Sequence, residues 1–135
     1  MLEAFFASSF FGRISTAQRI EREKRFARFV PLSELTDNAE LAEALGDRSL
    51  FVQGSIDLIA FYADGSMEIC DYKTDAITSE ERRDPALLQE RMQLTHGEQL
   101  KQYVSATKEL YGDRHIRVSV FSLPLGESLE IRTEE

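Results

Sequence analysis

Two aspartates and one lysine in neighbouring apolar segments have the residue types and the spacing to bind a metal ion. Asp71 and Lys73 stand two positions apart at the end of an apolar run, so on a β-strand their side chains leave the same face. Asp57 lies in the preceding apolar run, between Ile56 and Leu58. Burying such charges is costly unless they hold something. These three side chains therefore predict a polar site between two strands.

The chemistry of that site follows from its oxygen donors. Two carboxylates that lie close together repel each other, and a cation between them allows both to stay ionised. All-oxygen ligation suits a hard ion such as Mg²⁺, which keeps most of its waters and takes one or two protein carboxylates. The lysine could orient or help deprotonate a water ligand and offset charge that develops on a phosphate. The alternative is a structural Asp–Lys ion pair at a strand end.

The turn between the two strands decides whether Asp57 joins Asp71. With a two-residue loop at Asp64–Gly65, Asp57 would lie opposite the residue after Asp71 and on the other side of the sheet. With a three-residue loop, Ala63–Gly65, it would lie opposite Asp71, and Gly65 would take the left-handed conformation. A β-bulge would give the same parity. We predict one of these last two arrangements.

Strand signals occur in five segments. Leu50–Tyr62 and Met67–Lys73 have apolar residues at odd and even positions, which predicts burial on both faces. Residues 17–30 read as an irregular strand that ends at Pro31. "HIRVSVFSLP" alternates apolar and polar residues in the strand manner, and "SLEIR" predicts a final strand.

Helix signals separate these strands. The aromatic-rich start, residues 1–11, favours a buried helix ended by Gly12. A short helix capped by Asp37 or Asn38 looks like an insertion between strands. The capping box Thr78–Glu81 begins a polar helix towards Met92, and a second helix follows over "GEQLKQYVSATKELYG". The predicted fold is a mixed sheet flanked by helices.

Composition indicates one folded domain over residues 1–135. The 42% hydrophobic and 30% charged content is ordinary for a globular chain. The lone Cys70 excludes an internal disulfide, a CxxC metal site and an iron–sulfur ligand set, and favours a reducing, cytoplasmic compartment. No apolar run approaches the ~20 residues of a membrane span, so we expect no membrane association. The abrupt opening, "MLEAFFASSFFG", suggests a fragment of a longer chain.

Net charge argues against a free-standing nucleic-acid binder. It is −8, whereas affinity for nucleic acid depends on neutralising phosphates. A catalytic module whose substrate is delivered by a basic partner remains compatible with this charge. Five basic residues within ten positions form either a solvated strand face or a phosphate-tracking patch: Arg19, Arg22, Lys24, Arg25 and Arg28.

Three blocks in this order resemble the motifs of a nuclease superfamily. Gly54–Asp57, Asp71–Thr74 and Gln99–Tyr103 resemble the G-h-x-D, D-Y-K-T and Q-x-x-x-Y motifs of the RecB-like branch of the PD-(D/E)xK nucleases. "REKRF" at Arg22–Phe26 and "LYGDRHIRVSVFSLPLGESLEI" resemble parts of the C-terminal nuclease domain of AddA-type helicase–nuclease subunits. The resemblance covers most of the chain, and its three motifs are specific together.

This resemblance implies a restriction-endonuclease-like α/β core and a set of residue roles. Asp57 and Asp71 would be the metal ligands, completed by the backbone carbonyl of Tyr72. Lys73 would be the catalytic lysine, and Thr74 closes the same motif. These roles are carried over from the family.

The resemblance also implies supporting residues outside this motif, and two of them have an alternative interpretation. Gln99 and Tyr103 would support the site from one helix face, next to the lysine or the DNA, although Tyr103 also fits a core position. Glu23 would be either an additional carboxylate or a solvent-facing strand residue.

One departure concerns the upstream His or Glu that completes the metal site in family members. Glu3 is the only carboxylate of the opening helix, and His96 and His115 lie far downstream. His96 fits the start of the second helix better than a metal ligand, because no metal-site spacing supports it.

The resemblance implies a Mg²⁺-dependent DNA nuclease domain, with Mn²⁺ as a possible substitute and no iron–sulfur cluster. It would be the C-terminal part of a helicase–nuclease that works with a partner subunit on double-strand breaks for recombinational repair. ATP would be used by motor domains outside this chain, which carries no Walker-type loop, and these domains would deliver single-stranded DNA. The alternatives are a catalytically silent scaffold of such a complex and a stand-alone or CRISPR-associated RecB-like exonuclease.

Overall fold

The computed structural model describes residues 2–133. Its strands are β1 (Arg19–Pro31), β2 (Ser49–Phe61), β3 (Met67–Lys73), β4 (Ile116–Ser122) and β5 (Glu127–Glu130). Its helices are α1 (Leu2–Ala7), α2 (Ser9–Ile14), α3 (Ala39–Leu45), α4 (Ser79–Arg83) and α5 (Pro85–Tyr111), with a 3₁₀ turn at Leu32–Leu35.

The strands form one mixed sheet in the order β1-β2-β3-β4-β5. β2 and β3 are antiparallel, β3 and β4 are parallel, and β4 and β5 are antiparallel. The parallel pair needs a crossover, and α4 and α5 provide it. This sheet with its flanking helices confirms the predicted fold class.

The chain divides into two compact units, and the smaller one comprises residues Arg25–Ser55. In it the Asn38 side chain accepts a hydrogen bond from the Leu41 N–H at 3.0 Å and caps α3, as one of the two predicted alternatives. The rings of Phe29 and Phe51 lie 5.2 Å apart. Phe51 is 52% exposed, so the prediction that β2 is buried on both faces is wrong for its first half.

The larger unit, which contains residues up to 24 and from 56 onward, holds the main core. On one face of its sheet, Phe10 and Ile14 of α2 pack against Leu58, Cys70 and Phe121. The alternate strand residues point to the other face, where α5 buries one side of its length. The fully or nearly fully buried residues of that second layer are Ile59, Ile69, Val118, Val120, Leu88, Met92 and Leu100.

The first helical segment differs from its prediction. The chain forms two short helices, and Gly12 lies inside the second instead of ending the first. Ser8 makes the break, because its hydroxyl accepts a hydrogen bond from the Phe11 N–H at 3.1 Å and caps α2.

The later helical segment also differs. The predicted capping box at Thr78 and Glu81 is confirmed, but α4 ends at Arg83. Asp84 then caps α5, with Pro85 in its first turn, and this helix continues through Gly97 to Tyr111. Two predicted helices are thus one long helix after an early break, because buried residues on both sides of Gly97 outweigh the low helix propensity of glycine.

Two glutamines of α5 hold the chain at the end of β5. Gln89 Nε2 donates to the Glu130 carbonyl at 2.6 Å. Gln93 makes two bonds to Arg132, donating to its carbonyl at 2.7 Å and accepting from its N–H at 2.8 Å. A Cβ at Gly97 would lie 3.0 Å from Gln93 Nε2, so the glycine leaves room for this amide. Among residues 2–133, no helix is both long and apolar enough to cross a bilayer.

Candidate active site

The hairpin between β2 and β3 has the register that brings the two aspartates together. The paired residues run from Leu58 with Cys70 to Phe61 with Met67, which sets Asp57 opposite Asp71 by continuation. The loop is the predicted three-residue one, Ala63–Gly65, closed by a 3.0 Å bond from Tyr62 N–H to the Ser66 carbonyl. Gly65 has a φ of 90°, in the left-handed region. The register prediction is confirmed.

Asp57 lies at the end of the paired stretch, where the strands begin to separate. Its Oδ2 accepts a hydrogen bond from the backbone N–H of Tyr72 at 2.9 Å. The Asp57 side chain therefore provides the acceptor for a backbone N–H of β3. This bond fixes Asp57 beside the D-Y-K segment.

Asp71 is the buried member of the pair, only 4% exposed. Lys73 Nζ lies 2.6 Å from Asp71 Oδ2. Burial, followed by the adjoining Asp57 carboxyl, raises the pKa of Asp71 to about 6, because Lys73 only partly opposes these two effects. The site therefore holds more negative charge than its own lysine can compensate.

α5 brings two more predicted residues to this place. Gln99 Oε1 accepts a hydrogen bond from Lys73 Nζ at 3.4 Å. One turn later Tyr103 is 6% exposed, and burial, followed by the charges of Asp71 and Asp57, raises its pKa to about 12. Tyr103 is thus a core residue that also lies within electrostatic reach of both aspartates.

The remaining predicted residues lie around the site. The Tyr72 ring faces the opposite side of the sheet, next to Phe5 and Phe121, while its carbonyl as a ligand stays a prediction. Thr74 is exposed just beyond the end of β3. Glu23 is exposed on β1 with a φ of 51°, and it shares a cavity of about 650 Å³ with Asp57. Glu23 is thus a solvent-facing strand residue, and its role as an additional carboxylate stays a prediction.

Among residues 2–133, none of the three candidates for the upstream position of the family lies with the two aspartates. Glu3 is an exposed residue of α1, and His115 is an exposed residue before β4. The prediction that His96 lies at a helix start is wrong, because this residue is in the middle of α5. Its Nε2 lies 3.2 Å from Asp75 Oδ2. Within residues 2–133, no group of three or more His, Cys, Asp or Glu side chains could hold a metal ion.

The donor set nevertheless fits a hydrated hard cation. Asp57 and Asp71 supply two adjoining carboxylates, and burial together with the Asp57 carboxyl raises the pKa of Asp71 in spite of Lys73, so a further cation would favour its ionised form. Mg²⁺ typically takes one or two carboxylates and completes its shell with water. A soft metal would require nitrogen or sulfur ligands, and these two side chains provide only oxygen.

Two side chains near the site carried no clear signal in the sequence. Asp75 lies two residues after Lys73 and binds His96. Arg91 donates to the Ala76 carbonyl at 2.8 Å and pairs with Glu81 at 2.7 Å. Asp75 could have been suspected from its place next to the D-Y-K-T motif, whereas the role of Arg91 depends on how the loop folds.

Comparison with known proteins agrees with this geometry. The model of the PD-(D/E)XK nuclease superfamily matches residues 2–134, and the chain belongs to that superfamily. Among curated proteins it is similar to an ATP-dependent helicase/nuclease subunit of Desulforamulus reducens, with 41% identity over 76 residues. Those residues are 56% of this chain and 6% of the relative, so the chain spans a small part of the relative's length.

Proposed function

We propose that this nuclease-superfamily chain is a divalent-metal-dependent DNA nuclease domain that uses Mg²⁺, with Mn²⁺ as a substitute. The observation that carries the proposal is the adjoining pair Asp57 and Asp71 with Lys73 Nζ 2.6 Å from Asp71. Membership of the superfamily supports hydrolytic cleavage of nucleic acid.

Each residue has a defined part in this proposal. Asp57 and Asp71 would hold the ion, together with the carbonyl of Tyr72. When bound, the ion supplies Lewis acidity at the scissile phosphate and favours deprotonation of the attacking water. Lys73, kept close by Asp71 and Gln99, presents a positive charge where the phosphate gains negative charge in the transition state.

The cellular setting is proposed from the relative. Its name describes an ATP-dependent helicase/nuclease, so we propose that this domain cuts DNA that a helicase motor delivers as a single strand. The net charge of −8 supports delivery by other parts, because the chain itself attracts phosphates poorly. The process would be double-strand-break processing for recombinational repair in the cytoplasm, with a partner helicase–nuclease subunit.

The test is cleavage of end-labelled single-stranded DNA with Mg²⁺, with Mn²⁺ and with EDTA. Lys73→Ala should lose at least ~10²-fold in rate, as is typical when a group that stabilises transition-state charge is removed. Lys101→Ala, an exposed lysine of the same helix as Gln99, is the matched control and should cut like the wild type. Equal rates for Lys73→Ala and the wild type would refute the proposal.

A catalytically silent scaffold is the second candidate. It is favoured by the two-carboxylate donor set, since no third His, Cys, Asp or Glu side chain joins this pair among residues 2–133. Titration calorimetry with Mg²⁺ separates the candidates, because a scaffold needs no ion. The scaffold would be favoured if this chain and a longer natural form both failed to bind Mg²⁺ and failed to cut DNA.

A further inference from the structure

Lys73 has carboxylates two residues away on both sides in sequence. Its Nζ contacts Asp71 at 2.6 Å, and Asp75 follows just beyond the end of β3. Burial raises the pKa of Asp75, but the hydrogen bond to His96 and the charges of His96 and Lys73 outweigh it and leave the pKa below its usual value. Lys73 and Asp75 both contact side chains of the same stretch of α5, Gln99 and His96, so the ammonium and this second carboxylate lie along one helix face.

His96 contacts the Asp75 carboxylate, whereas Lys73 contacts Asp71. Its Nε2 lies 3.2 Å from Asp75 Oδ2, and its side chain is 16% exposed. It stands three residues before Gln99 on α5, so both side chains leave the same side of the helix. Gln99 therefore meets Lys73 while His96 meets Asp75, one turn apart.

We propose that His96 is a positioning residue that holds the Asp75 carboxylate away from Lys73 and so leaves the lysine ammonium on Asp71 and Gln99. Lysine has a flexible stem and a compact charge, so its ammonium moves easily between nearby carboxylates. If Asp75 were released, it would compete for the ammonium and draw it away from the two aspartates. The inference rests on the proposed function only where Lys73 is called catalytic.

The loop that carries Asp75 is anchored independently of His96. Arg91 Nη2 donates to the Ala76 carbonyl at 2.8 Å, and the same guanidinium makes two bonds to Glu81, at 2.7 and 3.1 Å. Loss of the His96 bond should therefore free one carboxylate and leave the loop backbone in place. This makes the competition separable from unfolding.

The first experiment observes the Lys73 side chain in the metal-free chain by NMR of ¹⁵N-labelled lysine ammonium groups. His96→Phe keeps an aromatic ring but cannot donate to Asp75, and we expect the Lys73 signal to shift. Adding Asp75→Asn removes the competing charge, so the double variant should return the signal to the wild-type position. His96→Gln, whose amide can donate to Asp75, should resemble the wild type, and His115→Ala is the matched histidine control.

The second experiment measures DNA cleavage. His96→Phe should lower kcat about 10-fold without raising KM, in the range found for residues that orient a metal site's groups. His96→Phe with Asp75→Asn should recover most of that loss. If His96 had only a structural role, kcat of the double variant would be no higher than kcat of His96→Phe.

The outcomes are distinct. An unchanged Lys73 signal in His96→Phe, or a double variant that fails to restore it, overturns the inference. If the wild type does not cut DNA at all, the proposed function fails, but the NMR comparison still decides whether His96 controls the partner of Lys73. Circular dichroism checks folding, and His96→Ala replaces His96→Phe if the larger ring is not tolerated.

Discussion

Glu68 and Asp71 are two buried carboxylates of the same strand, three residues apart and on opposite faces of the sheet. Glu68 is fully buried and accepts from Arg13 at 3.0 and 3.3 Å, from Tyr62 at 2.9 Å and from Ser119 at 3.1 Å. Asp71 is nearly as buried, yet Lys73 is its only cationic contact among residues 2–133, and the Asp57 carboxyl adjoins it.

The difference between the two acids lies in their supply of donors. A buried charge is tolerated when cations and hydrogen bonds surround it, as they surround Glu68. A buried carboxylate that faces a second acid is poised to take up a cation, as Asp71 is. One face of the strand therefore holds a carboxylate with its charge balanced, and the other holds the acid that the proposed function uses to bind the ion.

The largest expected effect on stability comes from removing the cation that pairs with Glu68. Arg13→Met leaves the Glu68 carboxylate buried without its guanidinium, which should lower the free energy of unfolding by about 3–5 kcal/mol. Urea denaturation measures it. Adding Glu68→Gln should restore much of the loss, because the amide carries no charge, and its oxygen and NH2 can bond the two hydroxyls that now donate to the two carboxylate oxygens, Tyr62 and Ser119. A small loss in Arg13→Met would break the comparison.

Removing the charge of Asp71 should instead raise the free energy of unfolding. The pKa of Asp71 is raised from 3.8 to about 6, so the folded chain binds more protons than the unfolded chain between these values. Its stability in EDTA should therefore fall as the pH rises through this window. Asp71→Asn should lack that fall and be about 2–3 kcal/mol more stable at pH 8. Glu43→Gln, an exposed control, should follow the wild type, and a destabilised Asp71→Asn would contradict this prediction.

Metal addition should stabilise only through the unbalanced site. At ten times its Kd, Mg²⁺ should raise the free energy of unfolding by about 1.4 kcal/mol, because it binds the folded chain alone. Differential scanning fluorimetry should show the shift in the wild type and in Arg13→Met, whose change lies on the other face. A shift of equal size in Asp71→Asn would place the ion elsewhere.

Glu81 provides the smallest and most specific test, because it is a third buried carboxylate with ample donors. Arg91 lowers its pKa to about 2, so its contribution to stability is present above 4.5 and is lost as the pH falls towards 2. Glu81→Gln should lower Tm slightly at pH 7 and not at pH 2, since glutamine can keep the capping box. Glu80→Gln, its exposed neighbour, should change Tm at neither pH.

Short-range signals predicted the hairpin register that sets the two aspartates side by side. The Asp64–Gly65 turn and the parity of a strand are local properties, and they sufficed to set Asp57 opposite Asp71. The capping box at Thr78 was equally readable, because both partners lie within one helical turn. The order of the three motifs identified the superfamily that the comparison then matched.

Contacts between distant parts of the chain were not predictable in this way. Gly97 signalled a helix boundary, but tertiary packing carries α5 through it. Likewise, the pairing of Glu68 with Arg13 spans 55 residues, and the pairing of His96 with Asp75 spans 21. No local pattern encodes such partners, because they depend on how the helices pack on the sheet.

The hold that α5 keeps on the end of β5 bears on how this protein behaves in concentrated solution. β5 is an edge of the sheet, and an open edge offers unpaired N–H and C=O groups to another molecule. The side chains of Gln89 and Gln93 occupy the Glu130 carbonyl and both backbone groups of Arg132. Two amides thus occupy the backbone groups with which a foreign strand would otherwise pair at this end of the sheet edge.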